Sequence, residues 1–255
     1  MRRLTLIALT IFASAPLLQA QAGLGNTKPV DIDKLLPYQK AFTNLPLQKR
    51  TEFIKHQREA ARLFSEKRVI ESLDALVLAE RVFDQSPELH NLRGSCYVEL
   101  RAFEKSLASF RKALEISGGN PSILFNVGEV YFVTQKWQQA HDNFEALLKN
   151  LPKENVGLGR ITEFKLMLCK LKLDKEQEAM ALAEKYDFLD DSPYHYFAKA
   201  TLAYEKDDLE EAEQWIARAG RIFRNPAILA PWHDTMVEYG YIKSFYGGPE
   251  QAPTQ

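Results

Sequence analysis

Five histidines, two cysteines and a tight group of aspartates are the side chains here that could bind a metal or catalyse a reaction. His141 and Glu145 lie four residues apart, one helical turn, which brings an imidazole and a carboxylate within reach of one divalent cation. The plainer reading of that spacing is a solvated charge pair on a helix surface. Asp187, Asp190 and Asp191 gather carboxylates in a turn-like stretch. That composition suits calcium, and it equally suits a solvated turn leading into a helix N-cap. No two of His56, His90, His141, His195 and His233 have zinc-ligand spacing, and there is no His-Glu-x-x-His pair, phosphate loop or Gly-rich dinucleotide turn. Cys96 and Cys169 have no base beside them in the sequence, so buried packing is the expected role of both. Two cysteines are too few for a disulfide scaffold or a four-thiolate zinc site. The chain is therefore expected to be no enzyme and to need no cofactor and no metal.

Charge and the N-terminus narrow the class of partner. Among 255 residues, 33 basic and 34 acidic side chains give a formal net charge of −1, which argues against a nucleic-acid binder driven by counterion release. Residues 1–22 have the layout of a secretory signal peptide: Arg2 and Arg3, an apolar stretch over 4–18, then Ala20-Gln21-Ala22, with cleavage expected after Ala22. The apolar stretch is short for a bilayer span of about 20 residues and is interrupted by Pro16. No cysteine stands near the cleavage point for a lipid anchor. The expectation is an exported protein, periplasmic or secreted, with no stable membrane insertion after cleavage.

The elements that must position any site come from an internal repeat. Gly94 and Gly128 are 34 residues apart, as are Tyr97 and Tyr131, Phe103 and Trp137, Ser106 and Ala140, Phe110 and Phe144, and Pro87 and Pro121. Going back by the same step reaches Ala60, Ser72 and Ala79. Going forward, a longer loop over 152–159 intervenes, and Ala179 and Ala212 then take the small-residue position. Five repeats result, over 53–86, 87–120, 121–158, 159–192 and 193–225. Ser86-Pro87, Asn120-Pro121, Ser192-Pro193 and Asn225-Pro226 punctuate them, each an N-cap residue followed by a proline suited to the first helical position.

This pattern resembles the tetratricopeptide repeat, a helix–turn–helix unit of 34 residues. The matching positions are small residues at the eighth (Ala60, Gly94, Gly128, Ala200) and twentieth (Ser72, Ser106, Ala140, Ala179, Ala212). Large residues fill the eleventh (Leu63, Tyr97, Tyr131) and twenty-fourth (Leu76, Phe110, Phe144, Ile216). The fourth repeat departs from the pattern, with Met167 and Lys170 at its eighth and eleventh positions. The resemblance implies an all-α fold, an α-solenoid in which helix pairs stack into a right-handed superhelix because one pair cannot bury its apolar face alone. About a dozen helices are expected. A linker and short helix over 23–45 precede a long helix over 46–66. A C-terminal capping helix over 226–246 turns Trp232, Met236 and Tyr239 back onto the stack, restarting one turn late at Pro231, and a disordered tail follows over 247–255.

The resemblance also implies that first helices line a concave groove. Carried over repeat by repeat, the groove positions are Phe64; Asn91, Ser95 and Val98; Phe125, Glu129 and Phe132; Phe164 and Leu168; and Tyr194, Phe197, Thr201 and Tyr204. So many aromatics on one face have two readings: a groove for a protein or peptide partner, or a face the chain fills itself. Asn91 and Asn126 match the asparagines with which some members hold a peptide carboxylate, but the basic residues of that grip are missing. The function expected is a non-enzymatic protein–protein interaction scaffold that binds a peptide or helix in this groove. The alternatives are a structural adaptor that self-associates, or a carbohydrate-binding or enzymatic accessory protein.

Overall fold

A computed structural model describes residues 35–242. The signal-peptide reading over 1–22 and the tail over 247–255 lie outside the described residues. Among these there are twelve α-helices and no strand: α1 (Pro37–Thr43), α2 (Leu47–Ser65), α3 (Val69–Val82), α4 (Pro87–Glu99), α5 (Phe103–Ser117), α6 (Pro121–Val133), α7 (Trp137–Asn150), α8 (Val156–Lys172), α9 (Glu176–Ala183), α10 (Tyr194–Tyr204), α11 (Leu209–Ile222) and α12 (Pro226–Tyr239). Their starts follow from local chemistry. The Ser86 hydroxyl accepts from the Leu89 amide at α4, the Asn225 side chain from Ala227 at α12, and Asp208 from Glu211 at α11. Each capping acceptor satisfies a backbone N–H that the first helical turn leaves unpaired.

One turn recurs five times. Lys67, Arg101, Gln135, Asp174 and Asp207 all adopt a left-handed backbone, with φ between 57° and 62°. In the first repeat, the amide of Arg68 donates to the carbonyl of Leu63, and the same bond joins Ala102 to Tyr97, Lys136 to Tyr131, Lys175 to Lys170, and Asp208 to Ala203. This is a Schellman-type helix stop, made here without glycine. It aligns the repeats independently of the side-chain pattern. Asp174 stands seven residues after Met167, as Arg101 does after Gly94, so Met167 holds the eighth position of the fourth repeat.

The residues fall into two compact units, divided between Val130 and Tyr131 within α6. In the N-terminal unit, Phe42 from α1 packs against Phe53 and Phe83, both at 5.4 Å between ring centroids. Small residues let the helix pairs cross closely. The buried Ser72 hydroxyl donates to the Ala60 carbonyl of the partner helix at 2.8 Å, and a methyl group placed on Gly94 would lie 2.4 Å from the ring of Phe110. In the C-terminal unit α8 packs against α7 and α9, and α10 against α11. The helix over 226–239 is continuous. Pro231 sits inside it rather than restarting it, because a proline removes one intrahelical hydrogen bond without ending a helix whose packing holds it.

Cys96 and Cys169 are free thiols and fully buried. Burial pushes the Cys96 thiol up to about 11, against the opposing hydrogen bond with Ser72. A thiol held protonated and out of reach of solvent is a poor nucleophile. Both should react with a thiol reagent only on unfolding. Rapid labelling of either in the native chain would contradict this packing.

Candidate functional site

The candidate site is the aromatic face of the first helices in the C-terminal unit. α8 presents Phe164 and Leu168, α10 presents Tyr194, Phe197 and Tyr204, and the last turn of α6 presents Phe132. All six are buried, as the second of the two readings has it, a face that the chain fills itself. The cover is α12. Trp232 packs on Phe164 at 5.3 Å, on Phe197 at 5.7 Å and on Tyr194 at 6.2 Å. His233 reaches Phe197 at 5.2 Å. Further along, Tyr239 stacks on Phe132 at 6.3 Å and meets Trp137 at 5.8 Å, and Tyr241 stacks on Tyr204 at 4.9 Å. The Thr201 hydroxyl and Met236 sulfur are 3.8 Å apart between these rings.

A helix that merely ended the stack would touch the last repeat alone, since a repeat contacts only its neighbours. α12 instead runs across the first helices of repeats three, four and five. The sequence spacing of Trp232, Met236 and Tyr239, four and three residues apart, puts all three on one helix face toward these rings.

A charged contact sits in this apolar seam. The Lys165 ammonium donates to the Glu238 carboxylate at 2.9 Å, with the two side chains only 1% and 6% exposed. The same ammonium lies 4.4 Å from the Phe132 ring centroid, and Lys172 stands at 4.4 Å over Tyr239. Neither Lys165 nor Glu238 figured among the expected site residues. The available signal was a lysine inside the otherwise apolar run Phe164–Leu166–Met167–Leu168–Cys169.

Asp234 lies one turn before Glu238. Burial first, then Glu238, pushes its carboxyl up to about 6, against the pull of Lys165. A carboxyl raised on folding costs stability where it is ionised in both states, above about 6, and costs nothing where it is protonated in both, below its ordinary 3.8. Asp234→Asn should therefore raise Tm over the parent chain near neutral pH. The gain should fade as both are acidified from pH 6 toward 4. Comparing the two chains at each pH cancels the opposite titration of His233, which burial shifts down.

Six expected groove residues belong to the N-terminal unit, among them the half-buried Ser95, whose hydroxyl donates to the Asn91 carbonyl at 3.2 Å. Phe64 joins the core with Phe53, Ala60 and Leu63, and Val98, Phe125 and Glu129 are buried as well. Neighbouring helices lie about 8–10 Å apart, which leaves large side chains between them no water-facing surface. Asn91 is half-buried and accepts a hydrogen bond from the Asn126 amide at 2.9 Å. The two asparagines are thus engaged with each other.

The remaining chemical candidates resolve into structure. His141 is buried rather than solvated: Nδ1 donates to Asp142 at 2.9 Å, and Nε2 faces the ammonium groups of Lys170 at 3.3 Å and Lys175 at 3.5 Å. Glu145 lies 3.5 Å from the same ring nitrogen and from Lys170. Two cations at that nitrogen leave no room for a metal. Asp190 takes two hydrogen bonds from Arg160, at 3.0 and 2.7 Å, and Arg160 also stacks on Tyr186 at 3.6 Å. Among the described residues no group of three or more His, Cys, Asp or Glu side chains is arranged to hold a metal, and no helix is long and apolar enough to cross a membrane.

No protein-family model and no curated protein matches the sequence. Solved structures do. YrrB, a TPR protein with an unusual peptide-binding site, aligns over 76% of this chain and 96% of its own length, with 15% identity and a TM-score of 0.50. Pseudomonas aeruginosa PilF aligns over 76% of this chain and 97% of its own, with 15% identity and a TM-score of 0.55. The chain has the tetratricopeptide-repeat fold, an all-helical α-solenoid.

Proposed function

We propose that this chain is an exported, non-enzymatic protein–protein interaction scaffold that takes a peptide or helix on the aromatic face of its third to fifth repeats. The observation that carries the reading is the occupant of that face. α12 lies across the first helices of three repeats, with Trp232 among Phe164, Tyr194 and Phe197, in the way an amphipathic helix fills a groove. Peptide binding by YrrB, on the same fold, is consistent with it. Export rests on the signal-like residues 1–22. The test places a photo-crosslinking benzophenone residue at Lys172, exposed at the edge of the face beside Tyr239. Used as bait in the exporting compartment, this chain should form an adduct with a discrete foreign protein, and the same label at Glu210, exposed on α11, should not. No foreign adduct, or equal adducts from both positions, would overturn the proposal.

One observation favours a second reading, a self-associating adaptor. Phe188 and Leu189 are 67% and 74% exposed on the loop before α10, and that loop is held by the Arg160–Asp190 bonds and by the Asp187 carboxylate accepting from the Leu189 amide at 2.9 Å. Solution scattering on dilution separates the readings: a self-assembler shrinks, and a monomeric binder keeps its size.

A further inference from the structure

We propose that α12 is a displaceable internal ligand, and that what displaces it is an amphipathic helix of α12's own chemistry. Such a helix carries an aromatic anchor, apolar residues four and seven positions on, and a carboxylate six positions on. This rests on the binding face proposed above and specifies what that face accepts.

Three observations carry it. The first is topological. The five helix pairs are complete at Ile222, and α12 follows as an odd helix after the short link over 223–225. It meets α11, as a helix ending the stack would, and also reaches rings on the first helices of three repeats.

The second is the make-up of its buried face. A helix belonging permanently to a core buries apolar side chains. α12 buries Leu229, Trp232, Thr235 and Met236, but it also brings the Glu238 carboxylate into the seam and half-buries His233, against Phe197, and Asp234, and it keeps Pro231 in its second turn. Desolvating ionisable groups offsets much of what apolar contact contributes, and proline removes one helical hydrogen bond. The helix is held by large rings yet docked at a reduced net gain, as suits a segment that must let go.

The third is charge complementarity. Lys165 stands in the apolar floor at 2.9 Å from Glu238 and 4.4 Å from the Phe132 ring. When α12 leaves, that carboxylate leaves with it. An incoming helix gains most by supplying another at the same offset from its anchor. The spacing Trp232, Met236, Glu238, Tyr239 is therefore a recognition pattern as well as a lid.

The experiment uses the full chain and a labelled synthetic peptide identical to residues 225–242, with binding followed by fluorescence anisotropy. In the native chain the tethered helix competes at a high effective concentration, so the peptide should bind weakly. In the full chain carrying Trp232→Ala and Glu238→Gln, the internal helix is weakened while its floor is intact. The peptide should then bind at least about 30-fold more tightly, the factor set by removing that tethered competitor. Adding Lys165→Gln, or changing the peptide's own glutamate to glutamine, should take most of this gain away. Equal binding to native and weakened chains would overturn the proposal. So would no binding to a weakened chain that keeps its helicity, or loss of helicity well beyond α12, which would make the helix core. The peptide experiment and the capture experiment fail separately. Tight peptide binding without a foreign adduct leaves α12 displaceable and removes only the foreign partner.

Discussion

Gly94→Leu is expected to leave the chain unable to fold stably. The Cβ of any residue at this position meets Phe110 ring carbons at 2.4, 2.5 and 2.9 Å, and Phe110 is fully buried. Gly94→Ala decides between two opposed effects. Alanine in place of helical glycine contributes about 1 kcal/mol of helix propensity. Forcing one extra carbon into a packed crossing costs about 1–3 kcal/mol. Because the obstacle is a buried ring rather than the mobile end of a long side chain, the crossing should win and Tm should fall. Leucine adds three more carbons and should cost well over about 3 kcal/mol. A denaturation midpoint unchanged by alanine would show that the helices of this pair have room to separate.

The second large effect concerns the charged pair under α12. Glu238→Leu leaves the Lys165 ammonium without the carboxylate now at 2.9 Å, and Lys165→Met leaves the Glu238 carboxylate in the same apolar seam without its ammonium. Breaking a buried pair from one side costs about 3–5 kcal/mol, while replacing both members by apolar groups is often neutral. Each single substitution should therefore destabilise the docked helix strongly, and the double substitution should recover most of the loss. The loss read from either single variant has a ceiling, the docking free energy of α12, because the helix can lift and let water reach the stranded charge. Additive single effects in a double-mutant cycle would show that the pair is not coupled.

The fold was legible because its determinants repeat. Gly94 and Gly128, Ser106 and Ala140, and Phe110 and Phe144 obey one packing rule at one spacing, and the proline punctuation repeats with them. The left-handed turn residues were not legible, since Lys67, Arg101, Gln135, Asp174 and Asp207 share a backbone state and no side-chain type. The candidate face was half legible. Spacing along each first helix shows that Phe164, Phe197 and Phe132 point one way, but it does not show what covers them. The cover comes from a helix with a residue range of its own, Pro226–Tyr239, which packs outside the nearest-neighbour order. The His141 spacing left out its partners for a similar reason: Lys170 and Lys175 come from 29 and 34 residues further on and meet a buried imidazole whose carboxylate neighbours stay exposed.

Hydrogen exchange across α12 of the full native chain, compared with α8 and α10, tests the central claim most directly. Amides that exchange through partial opening report a lower free energy than those that wait for global unfolding. The expected result is an α12 protected well above a free helix, because Trp232, Met236 and Tyr239 hold it on the aromatic face. It should nevertheless exchange faster than α8 and α10, because it opens by lifting off alone. An unprotected α12 would contradict its placement on that face, and an α12 as protected as α8 and α10 would make it an inseparable part of the core.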